Sequence, residues 1–515
     1  MRILTANQIR EIDRLSTEQF GIPGILLMEN AGMRVVEALE ARYENLEELQ
    51  IGILCGKGNN GGDGFVIARQ LIQKGIEPMV YLFGNESSVS GDARTNLNIL
   101  KSIGHPPTII ESPDEWDHEK IEMFDTDIVI DALLGTGLTR PVDGLYFAAI
   151  DSLNMDFPNA DIVSVDIPSG LPADSAHPIG ICVEADFTVT FTALKPCLVL
   201  PPNQESAGDV ILADIGNPSE LLESSDLNCS LIDPHEFAGA LHQRDSEANK
   251  GSYGKVLVVA GSLGKSGAAS MSGQSALRSG AGLVTVATSA EALPMVAASM
   301  PEMMTALLPT SDEEIHSLLK DKTVLAIGPG LGSQPATQNL IRSILSASAV
   351  PTVVDADGLN TFASRPEELR GSDRRPTIIT PHPGEMSRLI GKDIPYISSN
   401  RVDVARRLAV THHLFVVLKG FRTVVAAPDG TVFINPTGNP GMATGGTGDI
   451  LTGMIAGIVA QENLGSFLER LCLAVYLHGL AGDLAAEEIG EEAMVATDIL
   501  RFLSPAWKSL RQPPQ

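Results

Sequence analysis

Short apolar runs rich in β-branched residues recur along this chain, each followed by a glycine-rich or acidic segment and then by a helical pattern. In the first half they are Gln50 to Cys55, Pro78 to Phe83, Ile128 to Asp131 and Ile162 to Asp166. The pattern restarts with Gly254 to Ser262, Val324 to Gly328, Thr352 to Asp357 and Phe415 to Gly420. Strands that are apolar throughout and separated by helices predict parallel sheets covered on both faces, an α/β fold whose functional loops lie at the carboxyl ends of the strands. At 515 residues the chain exceeds one ordinary core, and about 100–200 residues per domain leaves room for two large domains. Neither half repeats the other. From about Asn217 to Asn249 the periodicity weakens while Pro, Ser, Glu and Asp accumulate, which marks a joint. The expected division is a first domain at 1–220, a joint at 221–248 and a second domain at 249–515.

Asp and Glu number 64 against 36 Lys and Arg, a net charge of −28. Such a surface repels phosphate backbones and anionic lipid, so neither nucleic acid nor a membrane is an expected partner. An anionic ligand must then be held locally, by backbone N–H groups, helix N-termini or a few placed cations. The five cysteines (Cys55, Cys182, Cys197, Cys229 and Cys472) are odd in number and form no CxxC pair, which points to neither a disulfide frame nor a zinc site. They suit a reducing cytoplasm. The opening residues become charged too soon for a signal peptide, and no run of about 18 apolar residues occurs, so a cytoplasmic location is expected.

In the first half, Gly56 to Gly64 carries five glycines around Asn59, Asn60 and Asp63, between a strand and a helical pattern. Glycine permits close backbone approach, so the loop can set N–H groups against a phosphate at the helix start. A bare glycine-rich turn matches by chance about as often as not. Its company shifts the balance: Asp131 and Asp166 both end strands, and Ser169 follows three residues after Asp166. Together Leu27 to Gly32, Gly58 to Gly64, Asp131 to Gly137 and Asp166 to Gly170 resemble the NAD(P)H-hydrate epimerase family over roughly residues 1 to 220. The resemblance implies a Rossmann-like three-layer domain that binds a hydrated nicotinamide cofactor and potassium. It implies that Asn59, Asn60, Gly61, Gly62 and Asp63 take the ligand phosphates, that Gly135, Thr136, Gly137, Leu138, Thr139, Arg140 and Pro141 form a second ligand loop, and that Asp166 faces the hydrated ring. Asn60, Asp131 and Ser169 would hold potassium, and their hard oxygens suit an alkali cation. Asp166 is the candidate for acid/base work at the hydroxylated carbon, with positioning as the alternative role.

In the second half, Asn439 to Asp449 is a glycine-rich turn running into the helical pattern from Ile450. Such a turn supplies an anion hole for a transferring phosphoryl group, and Asp449 stands where a base could take a hydroxyl proton. An isolated Gly-Thr-Gly-Asp could equally be a tight turn with an N-terminal helix carboxylate. Lys419 to Thr423 follows an apolar strand and can reach nucleotide phosphates, while Thr380 to Glu385 and Gly328 to Gly332 end two more strands. With Asn249 to Gly251, Gly261-Ser262 and Gly267-Ala268, these motifs resemble the NAD(P)H-hydrate dehydratase family of the ribokinase-like superfamily over roughly 230 to 510. One departure is Lys265-Ser266, where many relatives carry an aromatic residue. The resemblance implies that Ala268, Gly332, His382 and Asp449 contact the hydrated cofactor, and that Lys419, Gly420, Phe421, Arg422, Thr423 and Gly448 contact an adenine nucleotide.

These resemblances imply a bifunctional repair enzyme. It would epimerise R and S forms of NADHX and NADPHX, then dehydrate the S form by phosphorylating its hydroxyl, with Asp449 as base and magnesium on the phosphates. ADP is expected ahead of ATP as donor. The rival is a ribokinase-like small-molecule kinase fused to a non-catalytic Rossmann-like binding or dimerisation module. Leu471 to Gly479 reads as helix packing, and a homo-oligomer is expected without its number being legible.

Overall fold

The computed structural model describes residues 1–224, 227–237, 241 and 246–511. The chain divides into two compact units, Met1–Leu227 and Asn228–Gln515.

The first unit holds one sheet built from β1 (Ile51–Cys55), β2 (Met79–Phe83), β3 (Thr108–Ile110), β4 (Ile128–Ala132), β5 (Asp161–Val165), β6 (Phe187–Phe191) and β7 (Asp209–Ala213). Its order is β3-β2-β1-β4-β5-β6-β7 and every pairing is parallel. This is the doubly wound Rossmann-like order with one strand added. Side chains alternate across the sheet as a period of two requires. Ile51, Ile53 and Cys55 of β1 join the core beneath the helices Gly24–Arg42 and Asn59–Gln73. Leu54 joins the opposite core with the fully buried Trp116. The order reverses between β1 and β4, which opens a crevice beyond their carboxyl ends.

The second unit uses β8 (Cys229–Leu231), β9 (Lys255–Val259), β10 (Leu283–Thr288), β11 (Met304–Leu307), β12 (Val324–Ile327), β13 (Thr352–Val354), β14 (Thr377–Ile379), β15 (Phe415–Leu418), β16 (Val424–Ala426) and β17 (Val432–Ile434). Their order is β11-β10-β9-β12-β13-β14-β15-β16-β17-β8, with a switch point between β9 and β12. The pairings from β11 to β15 are parallel, as the sequence led one to expect. The expectation of a wholly parallel sheet needs correction at one edge, where β15, β16 and β17 pair antiparallel. The connections 419–423 and 427–431 are too short for a helical crossover, so the chain must turn back on itself.

The joint expected at 221–248 also differs. The break between units falls after Leu227, and β8 pairs in parallel with β17. That stretch is therefore partly an edge strand of the second sheet. Positions 225–226, 238–240 and 242–245 of the expected joint, and the last four residues of the expected second domain, lie outside the described residues. Among the described residues no helix is long and apolar enough to cross a membrane.

Candidate functional site

A cleft of about 600 Å3 opens at the switch point of the first unit. One wall is the start of the helix Asn59–Gln73, whose N-cap Gly58 supplies no side-chain hydrogen bond. Its first N–H groups are left for an anion. Part of the glycine run serves packing: a Cβ at Gly61 would lie 1.7 Å from the Gly56 carbonyl oxygen, so only glycine lets the helix begin this close to β1. Gly135, Thr136, Gly137 and Leu138 line the cleft with Asn59, Asn60, Asp63 and Asp166. Thr139, Arg140 and Pro141 are exposed and do not line it. Burial, reinforced by the carboxylates of Asp166 and Asp13, pushes the Asp63 carboxyl well above the ordinary range.

Behind this loop Asp131 is wholly buried. Its carboxylate accepts hydrogen bonds from the Ser169 hydroxyl (2.5 Å) and N–H (2.8 Å) and from the Ser164 hydroxyl (2.9 Å). Burial raises its pKa, and these donors work against the rise. No cationic side chain lies within ion-pair distance of it among the described residues. Asn60 and Ser169 both reach the Leu134 carbonyl oxygen, each at 3.1 Å, so Asn60, Asp131 and Ser169 form one oxygen-rich cluster.

Asp166 follows β5 with φ 66°, a left-handed conformation that costs a side chain with a Cβ about 1–2 kcal/mol. That turn aims its carboxylate at Lys195, which forms an ion pair with Asp166 Oδ1 and is fully buried. Lys195 Nζ also donates to the Thr190 hydroxyl (2.8 Å) and the Phe191 carbonyl (2.9 Å). Sequence reasoning missed Lys195, because a single lysine beside a proline has no local signature; only the positive φ brings the pair together. The Leu27 to Gly32 motif is structural at two positions. Glu29 pairs with Arg69 and accepts from Gln70 (2.6 Å), and Asn30 donates to the Ile215 carbonyl (2.7 Å).

The second unit repeats the plan with different chemistry. The loops after β9 and β12 are tied by Gly261 N–H to the Pro329 carbonyl (2.8 Å) and by the Ser262 hydroxyl to the Gly330 carbonyl (2.7 Å). Gly446, with φ 100°, caps the helix Thr447–Val459 without a side-chain hydrogen bond, leaving its N–H groups open beside Asp449. Burial lifts the Asp449 carboxyl to about 6; Asp355, Asp357 and Glu385 add to the rise while Lys419 opposes it. Lys419 Nζ donates to Asp355 (2.8 Å) and approaches Glu385 (3.7 Å). Burial disfavours the Lys419 ammonium, but these carboxylates outweigh it and hold its pKa above the ordinary lysine value. Thr452, one turn beyond Asp449, donates to the other Asp355 oxygen at 2.7 Å.

Lys419 to Thr423 is the β15–β16 hairpin loop. A Cβ at Gly448 would lie 3.2 Å from Lys419 Nζ, which places this loop directly against the Asp449 helix. Ala268 lies close to Gly330, and the Gly332 N–H donates to Asp357 at 2.7 Å. His382 caps the helix Pro383–Ile390, its Nδ1 accepting from the Gly384 N–H (3.0 Å) and the Glu385 N–H (3.4 Å). Burial keeps its pKa below the usual value, and the two backbone donors make Nδ1 an acceptor.

Three supporting residues carry no sequence signal. Ala356 has φ 48° without being glycine, and its turn separates Asp355, which meets Lys419, from Asp357, which meets Gly332. Arg401 is buried and donates to the Phe421 carbonyl at 2.5 Å, fixing the hairpin loop; burial lowers its pKa to about 10. His478, read from sequence only as helix packing, lies 3.1 Å from the Thr447 carbonyl, and burial lowers its pKa to about 4.

Two switch-point crevices, each with an open helix N-terminus and a paired lysine and carboxylate, define a two-centre α/β enzyme. Residues 25–197 match the family model of the YjeF-related protein N-terminus, and residues 256–505 match that of NAD(P)H-hydrate dehydratase. Similar over nearly the whole length are three proteins named bifunctional NAD(P)H-hydrate repair enzyme Nnr. That of Moorella thermoacetica is 41% identical (99% of this chain, 98% of its own), that of Thermofilum pendens 38% (99% and 97%) and that of Escherichia coli 34% (97% and 92%). The chain belongs to the bifunctional NAD(P)H-hydrate repair enzyme family. The kinase rival is not favoured, because the relatives match both units together.

Proposed function

We propose that the first unit interconverts R and S NAD(P)HX and that the second dehydrates the S form to NAD(P)H with phosphoryl transfer from an adenine nucleotide. The observation that carries the second step is Asp449, poised near neutrality at an open helix N-terminus beside Lys419. As an ionised base it accepts the proton of the hydrate's hydroxyl while that oxygen attacks the phosphorus. The N–H groups around Gly448 and the Lys419 ammonium stabilise the transferring phosphoryl. The hydroxyl, a poor leaving group, then departs as phosphate, the neighbouring ring carbon gives up a proton, and the double bond of the reduced ring is restored. His382, Gly332 and Ala268 are assigned to the hydrated cofactor, and Lys419 to Thr423 with Gly448 to the nucleotide.

In the first unit the N–H groups from Asn59 to Asp63 and the loop from Gly135 take the phosphorylated ligand, with Asp166 at the hydrated ring. Lys195, paired with Asp166, fixes its carboxylate oxygen for proton transfer or positioning. Asp131, a buried carboxylate without a cationic partner among the described residues, fits potassium held by Asn60, Asp131 and Ser169, which would offset carboxylate charge next to a phosphorylated ligand. Magnesium, when bound, would be carried on the nucleotide phosphates, where it would screen charge during transfer. Homo-oligomerisation and a cytoplasmic setting complete the reading.

The test is recovery of reduced-nicotinamide absorbance from an R/S hydrate mixture with potassium, magnesium and either ADP or ATP. Recovery of both epimers supports both assignments and names the donor. Recovery of the S form alone removes the epimerase assignment, and a stable phosphorylated product removes the dehydratase one.

A further inference from the structure

At the far end of the second unit's catalytic helices lies a separate cavity of about 400 Å3. The helices Ser266–Arg278 and Thr447–Val459 carry Ala268 and Asp449 in their first turns. At 1.5 Å per residue their carboxyl ends stand about 15 Å from those two residues. Arg278, Arg501, Lys508 and Arg511 converge on the cavity, and Trp507 forms part of its wall. Four cations around one hollow are notable in a chain of net charge −28. Arg501 pairs with Glu488 at 3.2 Å.

The side chains of Arg278, Lys508 and Arg511 make no hydrogen bond or ion pair among the described residues. The bland account is that they neutralise helix carboxyl ends. The carbonyls there already have other partners. Gln461 donates to those of Ser279 (2.9 Å) and Gly457 (2.8 Å), and Arg470 to that of Val459 (2.6 Å). Ser279 is buried in the wall of the same cavity, and its hydroxyl has no hydrogen-bond partner among the described residues. The cavity therefore combines three cations without a partner among the described residues and the half-buried Trp507 in its wall.

We propose that this cavity is a second ligand site of the protein, which takes a phosphorylated nucleotide, its phosphates on Arg278, Lys508 and Arg511 and its base against Trp507. Guanidinium groups match phosphate oxygens in geometry and charge, every base offers a π-face to an indole, and the volume is that of a small-molecule site.

The probe is ADP, added to the full-length chain. Of its two tryptophans, Trp116 is fully buried in the first unit, so Trp507 is the reporter. ADP is expected to quench Trp507 fluorescence saturably, with binding weakened at least about tenfold by Arg278→Glu or Lys508→Glu. Both residues are exposed, so the variants should fold and retain dehydration. Calorimetry should show one equivalent of ADP lost in each variant. Quenching and stoichiometry unchanged in both variants would place all binding elsewhere and overturn the site. Inorganic pyrophosphate binding as tightly as ADP would overturn the role given to the base.

Discussion

Asp449 is held where its charge is costly, and that cost has a sign that can be measured. Its folded-state pKa of about 6 exceeds the ordinary 3.8, so the folded state binds this proton more tightly than the unfolded one. The resulting stability is present in acid and is lost as pH rises from about 4 through 6. Asp449→Asn is therefore expected to abolish dehydration yet stabilise the second unit at neutral pH by up to about 3 kcal/mol, read as a raised thermal midpoint; a midpoint that falls would show that the carboxylate stabilises the fold. Dehydration kcat/KM in the unaltered protein should rise with pH through about 6 and then level off, which a pH–rate profile checks. In the first unit Lys195→Met keeps the volume and removes the cation, leaving Asp166 without its partner. Epimerisation should fall about 10²- to 10⁴-fold, followed as R-to-S conversion, while dehydration of the pure S form stays unchanged. Asp166 and Asp449 were legible because each belongs to a local motif. Lys195, Arg401 and His478 were not, since each acts through a contact distant in sequence.

The helix that carries Asp449 is set by glycines inside it as much as by the turn before it. A Cβ at Gly453 would lie 2.0 Å from the Ser272 carbonyl oxygen, and one at Gly457 would lie 2.4 Å from that of Ala276. These contacts are with the backbone of the helix Ser266–Arg278, which cannot yield by rotating a side chain. Alanine gains about 1 kcal/mol of helix propensity over glycine, but overpacking costs about 1–3 kcal/mol or more, so the clash wins. Gly453→Ala should lower the second unit's thermal midpoint and, by displacing the Asp449 end, reduce dehydration kcat; unchanged kcat with a lowered midpoint would confine the effect to packing. Element by element, β1, β2, β4, β5, β9, β12, β13 and β15 announced themselves through apolar β-branched runs, while β6, β7 and β10 did not stand out. Nor did β8, β16 and β17: each is three residues long and lacks the helical pattern after it that flags the parallel strands. For the same reason Lys419 to Thr423 read as a loop at a strand end, with no hint that it closes a hairpin.

Across the whole molecule the two centres share no residue. Asn60, Asp131, Asp166 and Lys195 all lie within Met1–Leu227, and Asp355, Lys419 and Asp449 all lie within Asn228–Gln515. The glycine-rich signals in each half made this separation legible from sequence. The position of the boundary was harder to read, because β8 is hidden in polar surroundings. Separate centres make a strict demand on any mixture of damaged chains. Asp166→Asn retains the dehydratase centre and Asp449→Asn retains the epimerase centre, so neither variant alone should recover the R form. Mixed in equal amounts, they are expected to recover both epimers if the S form produced by one chain is released before the other takes it up. Absorbance at the reduced-nicotinamide band reads this directly, and the rate should grow with the concentration of the Asp449→Asn chain until dehydration limits it. A mixture that recovers the S form and leaves the R form untouched would mean that the epimerised ligand stays on the chain that made it, and would tie the two reactions together within one molecule.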